Sequence, residues 1–235
     1  MTQTLALIHT SPTLTPMFTE LCTEHIPGTT IFHMVDESLI KDTIRAGELR
    51  RVTMRRLLAL VESAEAAGAD AVLVTCSSIG PAVAVAQAIF DIPVVRVDEA
   101  MAERAVQMGS KIGVAATLRT TLEPTIALLE AKAREVGRSI EIVESLSAGA
   151  FGAVMRGDTA RHDAILTKAL VEDLREVDVI VLAQASMARV VKAIAPGELR
   201  AAVLSSPELA LQRTAEILRS LSSSDTRHRA EGVAV

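Results

Sequence analysis

Aromatic side chains are nearly missing from this chain. They make up 2% of its 235 residues, four Phe with neither Trp nor Tyr. Base-stacking platforms, aromatic cages and the interfacial belts of membrane proteins need such rings and are excluded. Cysteine is scarce as well. Cys22 and Cys76 are too few for a disulfide scaffold, and as free thiols they suit a reducing cytoplasm. No apolar run reaches the ~18 residues of a membrane span, and no charged-then-apolar leader opens the chain. Basic residues do not dominate: 24 Lys+Arg against 29 Asp+Glu leave a net charge of -5 with no basic block, which argues against nucleic acid. Also absent are G-x-G-x-x-G, the Walker sequence and H-E-x-x-H, and Cys22 with His25 lacks a second ligand pair for zinc. The sequence requires no nucleotide, metal or organic cofactor. The expected location is cytoplasmic, without membrane or nucleic-acid partners.

What the chain does have is core material, 49% of it hydrophobic. Short β-branched runs at 4–9, 29–33, 71–75, 93–96, 111–115, 139–143, 177–182 and 201–204 alternate with longer segments of helical period. Near-continuous apolar runs are what strands covered on both faces of a parallel sheet need. Helical stripes appear at 49–66 (Val52, Leu57, Leu60, Val61, Ala64) and at 159–174 (Ile165, Ala169, Leu170, Leu174). The class is α/β.

The pattern also repeats. DAVLVTCSS at 70–78 lines up with DVIVLAQAS at 178–186, an offset of 108 that carries Cys76 onto Gln184 and Val95 onto Val203. LALIHT at 5–10 meets IGVAAT at 112–117 at an offset of 107, and each leads through hydroxyl residues to a proline, Pro16 or Pro124, near a helix start. The reading is a duplication: two pseudo-symmetric αβα lobes with parallel sheets and an active-site cleft between them. The first lobe spans 1–97 and the second 98–205, joined through a helix over 96–108. A C-terminal helix at 206–222 packs back on the first lobe, and the polar stretch 223–235 loses periodicity and reads as a disordered tail.

Ligands of doubly wound sheets bind beyond the carboxyl ends of the strands. Those positions here carry His9, Thr10 and Ser11; Cys76, Ser77 and Ser78; Thr117 and Thr120; Gln184 and Ser186. Hydroxyls ahead of helix starts serve as N-caps, and several facing one cleft make an anion site for a carboxylate. Cys76, at a strand-to-helix turn, has loop amides available to stabilise a reactive thiolate. Cys22 falls on an apolar helix face with Phe18 and reads as core. His9 is a candidate proton donor, His33 a partly buried loop residue, and His25, His162 and His228 read as surface positions.

Length, duplication and the segments AVLVTCSS (71–78), IPVVRVDEA (92–100) and IGVAATLRT (112–120) together resemble the aspartate/glutamate/hydantoin racemase superfamily over nearly the whole chain. The resemblance implies cofactor-independent chemistry on small carboxylates or hydantoin-like rings. It also implies a pair of cysteines, one per lobe, that remove and return a proton on opposite faces of the substrate carbon, with Thr117-x-x-Thr120 as an anion loop. This chain departs from that pattern: Cys76 is present, but Gln184 stands at the second position, and an amide is neither acid nor base at neutral pH. The expectation is an isomerase of racemase type working through Cys76. Thr10, Ser11, Ser77, Ser78, Thr117 and Thr120 would hold the carboxylate, with Gln184 and Ser186 lining the second-lobe wall. The alternatives are a decarboxylase or C–C lyase on the same scaffold, as in arylmalonate decarboxylases, which also work with a single cysteine; an isomerase like the maleate isomerases; or a metabolite-binding protein without chemistry. A homodimer is the expected assembly.

Overall fold

Strands that are apolar on both sides require cover on both faces, and the chain supplies it by following almost every strand with a helix. The structure is a computed structural model that describes residues 2–195 and 197–231, the side chains of 154, 155 and 224–231 excepted. In chain order the first half comprises β1 (Thr4–His9), α1 (Thr15–His25), β2 (Thr30–Val35), α2 (Glu37–Ala46), α3 (Arg51–Ala66), β3 (Ala71–Val74), α4 (Pro81–Gln87) and β4 (Val94–Arg96). The second half runs through α5 (Glu99–Met108), β5 (Lys111–Ala116), α6 (Arg119–Glu135), β6 (Glu141–Leu146), α7 (Ala150–Met155), α8 (Thr159–Lys168), β7 (Val179–Leu182), α9 (Ala188–Val191), β8 (Ala202–Ser205) and α10 (Ser206–Glu231). The eight expected strands are all present. The sixth runs Glu141–Leu146 and so begins two residues later than the apolar run suggested. The helix read over 159–174 is α8 followed by one wider π-type turn, Ala169–Asp173.

The strands form two parallel four-stranded sheets, ordered β2-β1-β3-β4 and β6-β5-β7-β8. Their registers repeat the offsets of the sequence. Leu5 pairs with Ala71 in the first sheet, and Ile112, 107 residues on, pairs with Val179, 108 residues on from Ala71. The flanking bonds correspond too: the Asp70 amide donates to Thr4 O as the Asp178 amide does to Lys111 O, and Thr75 to Ile8 O as Ala183 to Ala115 O. The Asp70 carboxylate accepts from the Thr4 amide, and that of Asp178 from the Lys111 amide, so one aspartate per sheet locks the start of its central pair. Two independent βα units would not be expected to share register, loop bonds and side-chain clamps.

Alternation along β1 sorts its side chains. Ala6 and Ile8 pack with Leu39 of α2, Leu57 and Val61 of α3, and Val83 of α4. Leu5 and Leu7 pack on the other face with Phe18 and Cys22 of α1 and with Ala210, Leu211 and Leu218 of α10. In the second sheet Ile112 and Val114 meet Met101 and Val106 of α5 and Leu122 and Leu129 of α6, while Ile180 and Leu182 meet Leu166 of α8 and Val190 of α9. The helices after β4 and β8 are thus exchanged: α5 leaves the first sheet to cover the second, and α10 leaves the second to cover the first. The two touch each other, with Arg213 of α10 paired to Glu103 of α5.

The polar stretch 223–231, expected to lack regular structure, continues α10 as helix. It holds no Gly or Pro before Gly232, so nothing in it breaks the ladder. Residues 232–235 lie outside the described residues, as does the side chain of His228. Pro124 sits in the second turn of α6 rather than at its start. Among the described residues no helix is long and apolar enough to cross a membrane.

Candidate active site

The carboxyl ends of both sheets open on a cavity of about 370 Å³. After β3 the backbone stays extended through Cys76 (φ -127°, ψ 115°) and then tightens into a 3-10 turn at Ser77–Ile79 ahead of α4. The second sheet does the same: Gln184 is extended (φ -129°, ψ 133°) before a turn at Ala185–Met187. Cys76 and Gln184 are therefore equivalent in conformation and both line the cavity.

Three groups surround the Cys76 sulfur: the Thr10 hydroxyl and the amides of Ser78 and Ile79. These are the anion-favouring donors the turn was expected to offer. Burial nevertheless dominates and pushes the thiol above its ordinary pKa; those three bonds pull it back in part, and the Asp98 carboxylate adds to the rise. The expectation of a stabilised thiolate is corrected to a resting thiol with thiolate donors already in place. Asp98 is fully buried and held by Arg96 through two hydrogen bonds of 2.6 and 2.9 Å, while Arg96 Nη2 also donates to Pro124 O across the lobe boundary at 3.2 Å. Gly80 makes room for that guanidinium: a Cβ there would lie 2.3 Å from Arg96 Nε.

The Gln184 amide has a defined orientation. The Thr117 amide, which can only donate, lies 2.7 Å from its Oε1, and the Thr117 hydroxyl is 3.0 Å from the same oxygen. Oε1 is therefore taken, and the Nε2 donor is left for a ligand. Thr10, Ser11, Ser77, Ser78, Thr117 and Ser186 also line the cavity. Ser11 doubles as the cap of a short turn, accepting from the Thr13 amide. Ser78 bonds Thr121 of α6 at 2.7 Å, a hydroxyl pair that ties the lobes together at the cavity wall.

Two expected site residues are not brought in. Thr120 does not line the cavity and Thr121 does; neighbours on a helix project about 100° apart, so only one of them faces the cleft. His9 is fully buried behind Thr75, away from the cavity. The Thr75 hydroxyl donates to Ile8 O, so at 2.8 Å it accepts from His9 Nδ1–H. His9 Nε2 then accepts from His33 Nδ1 at 2.8 Å. Both nitrogens are occupied, and burial, with the neighbouring His33, lowers the His9 pKa to about 4, so it is no proton donor at neutral pH.

Sequence reasoning also missed residues. Thr75, Glu37 and His162 line the cavity, with Leu14, Ile40, Leu118 and Phe151 as its apolar part. His162, read as a surface residue, is 2% exposed. The signal was present: it lies three residues before Ile165 and four before Leu166, on the buried stripe of α8. No Lys or Arg lines the cavity among the described residues, so the donors offered to an anion there are hydroxyls and N–H groups, with the Glu37 carboxylate also at the wall. Among those residues no group of three or more His, Cys, Asp or Glu is placed to hold a metal.

Known proteins share this fold. The chain superposes on glutamate racemase isoform RacE1 from Bacillus anthracis with a TM-score of 0.72 at 17% identity, covering 93% of this chain and 82% of that one. An aspartate racemase from Picrophilus torridus gives 0.67 at 16% identity, with 91% and 94% covered. The allantoin racemase of Klebsiella pneumoniae gives 0.65 at 17%, with 94% and 89% covered. No curated protein matches the chain. The family model of the Asp/Glu/hydantoin racemases matches residues 7–214, from the middle of β1 into α10, and so takes in both sheets and both strand-end turns. With two equivalent turns facing one cleft and a model spanning both, this chain belongs to the Asp/Glu/hydantoin racemase family.

Proposed function

We propose that this protein is a cofactor-independent enzyme that moves a proton at the carbon beside a carboxylate in a small substrate, with Cys76 as one proton carrier. The observation that carries the reading is the Cys76 sulfur at the cavity wall, already met by the Thr10 hydroxyl and two turn amides. Once the Cys76 thiol has given up its own proton, to solvent or in the preceding turnover, the C–H bond breaks, its proton goes to the thiolate, and the electron pair spreads onto the carboxylate oxygens. Gln184 Nε2, with the Ser77 and Thr117 hydroxyls, stabilises the charge that develops there, as preorganised donors in a sheltered site do. Family membership favours racemisation, and the racemases it superposes on act on glutamate, aspartate and allantoin.

The test is a panel of enantiopure aspartate, glutamate and allantoin, with maleate and phenylmalonate, incubated in heavy water and followed by NMR and chiral chromatography. Deuterium at the carbon, abolished by Cys76→Ala, supports the reading. Loss of CO2 from phenylmalonate would make the enzyme a decarboxylase, and isomerisation of maleate would make it a cis–trans isomerase. Binding without turnover would leave a metabolite-binding protein.

A further inference from the structure

Two-faced proton transfer needs a second acid or base, and Gln184 cannot supply it. The cavity lining holds three side chains that titrate: Cys76 on the first lobe, Glu37 at the start of α2, and His162 on α8 of the second lobe. Glu37 is half exposed and paired with Lys41. His162 is buried and comes from the lobe opposite Cys76.

Its surroundings set up one ring nitrogen for proton exchange. Nδ1 lies 2.7 Å from Asp163 Oδ1, and Arg189 grips both oxygens of that carboxylate at 2.7 Å. Burial alone would raise the Asp163 pKa, but hydrogen bonds from His162 and Arg189 and the Arg189 charge outweigh it and hold the group ionised. An ionised carboxylate at Nδ1 selects the Nδ1–H tautomer; the longer 3.4 Å approach of Arg189 Nη2 to Nδ1 cannot compete with it. Nε2 is left with a free lone pair and no hydrogen bond among the described residues.

We propose that His162, oriented by Asp163 and Arg189, is the second proton carrier of this site and occupies the functional place of the missing second-lobe cysteine. The inference rests on the function proposed above. In one direction His162 Nε2 takes the substrate proton and the Cys76 thiol gives its own to the opposite face, leaving imidazolium and thiolate. In the other direction thiolate accepts and imidazolium donates, which restores thiol and neutral imidazole. Protons balance in each half, and no further reactant is needed. Asp163 is a positioning residue.

The experiment uses the full chain with enantiopure aspartate, glutamate and allantoin in heavy water, reading deuterium incorporation and inversion separately. The expected wild type exchanges and inverts at matching rates. His162→Gln should lower inversion by about 100-fold or more, the scale of a lost general acid–base, while exchange with retention persists on the Cys76 face. Asp163→Asn should lower kcat with KM little changed and displace the pH profile. The charged groups in contact with His162 are Asp163 and Arg189, while Glu37 and the Cys76 thiol share the cavity lining with it, and Glu37→Gln should leave that profile in place. Circular dichroism and continued protection of buried Cys22 from iodoacetamide check that the variants fold; should His162→Gln fail this, Asp163→Asn decides. Wild-type exchange with retention only, or full inversion in His162→Gln, overturns the assignment while the Cys76 reading stands. No exchange with any of the three sinks both.

Discussion

Acidification should weaken this fold well before its carboxylates titrate, and His9 is the reason. Its ring is sealed behind Thr75 and His33, and its pKa falls from 6.5 to about 4. Because the folded value is the depressed one, the unfolded chain binds the proton more readily between these limits. Stability is full above 6.5 and is lost as the pH falls toward 4. Linkage with those two values gives about 2 kcal/mol less stability at pH 5 than at pH 7 from this residue. Asp36, Asp163 and Asp178 carry depressed carboxyl pKa values, so their contributions are lost only below their ordinary value of 3.8, outside that window. With a urea slope of roughly 2–3 kcal/mol/M, the unfolding midpoint should drop by about 0.7–1 M between the two pH values. His9→Gln keeps a donor for Thr75 and an acceptor for His33 but cannot titrate. It should lose most of the drop, retaining the share of His33, whose pKa burial also lowers. Urea titrations followed by circular dichroism at pH 7 and 5 measure both proteins. If wild type and His9→Gln fall equally, the buried pair is not what acid attacks.

Three further outcomes follow from the site. Cys76 should react with iodoacetamide faster than Cys22 at pH 8, because Cys22 is pushed by burial to about 11 without any donor to offset it, and malonate should slow Cys76 alone; equal labelling of the two, read by mass spectrometry, would contradict this. Gly80→Ala should cost about 3 kcal/mol in urea unfolding, since the new Cβ displaces the guanidinium that neutralises fully buried Asp98; a cost under 1 kcal/mol would mean that Arg96 finds another route to it. Gln184→Glu keeps the acceptor for Thr117 but puts a carboxylate where an amide donor faced the ligand, so protection of Cys76 by malonate should weaken by at least about 10-fold; unchanged protection would place the anion elsewhere.

Much of this was legible in the sequence, for definable reasons. Strands buried on both faces leave continuous apolar runs, so all eight could be read, and a duplicated chain aligns with itself, so Cys76 and Gln184 could be matched before any coordinates. The site was read less completely. Helix phase, which a strand-end rule does not supply, decides between Thr120 and Thr121. A histidine at a strand end looks available, yet alternation turned His9 toward Phe18, 5.6 Å between ring centres, and away from the cleft. His162 was hidden because a polar residue at the edge of an apolar stripe resembles a solvated one, and what buries it is packing from α7 and α9. The pKa of Cys76 was misjudged because amide donors are visible in a turn sequence whereas desolvation is a property of the assembled cavity.

The exchange of α5 and α10 between sheets has a consequence for how the molecule is made. A ribosome delivers β1, β2 and β3 early, but the helix that seals their Leu5, Leu7 and Leu73 face is the last to emerge. The second sheet has α5 to α9 in place before α10 exists, and α10 adds only the partly buried Leu209 to its core. The usual order, in which the amino-terminal half matures first, is inverted: the half that carries Cys76 waits, one apolar face open, for the end of synthesis. Nascent chains stalled after β8 should therefore protect Cys22, which packs on that open face, poorly from alkylation, and full-length release should restore that protection.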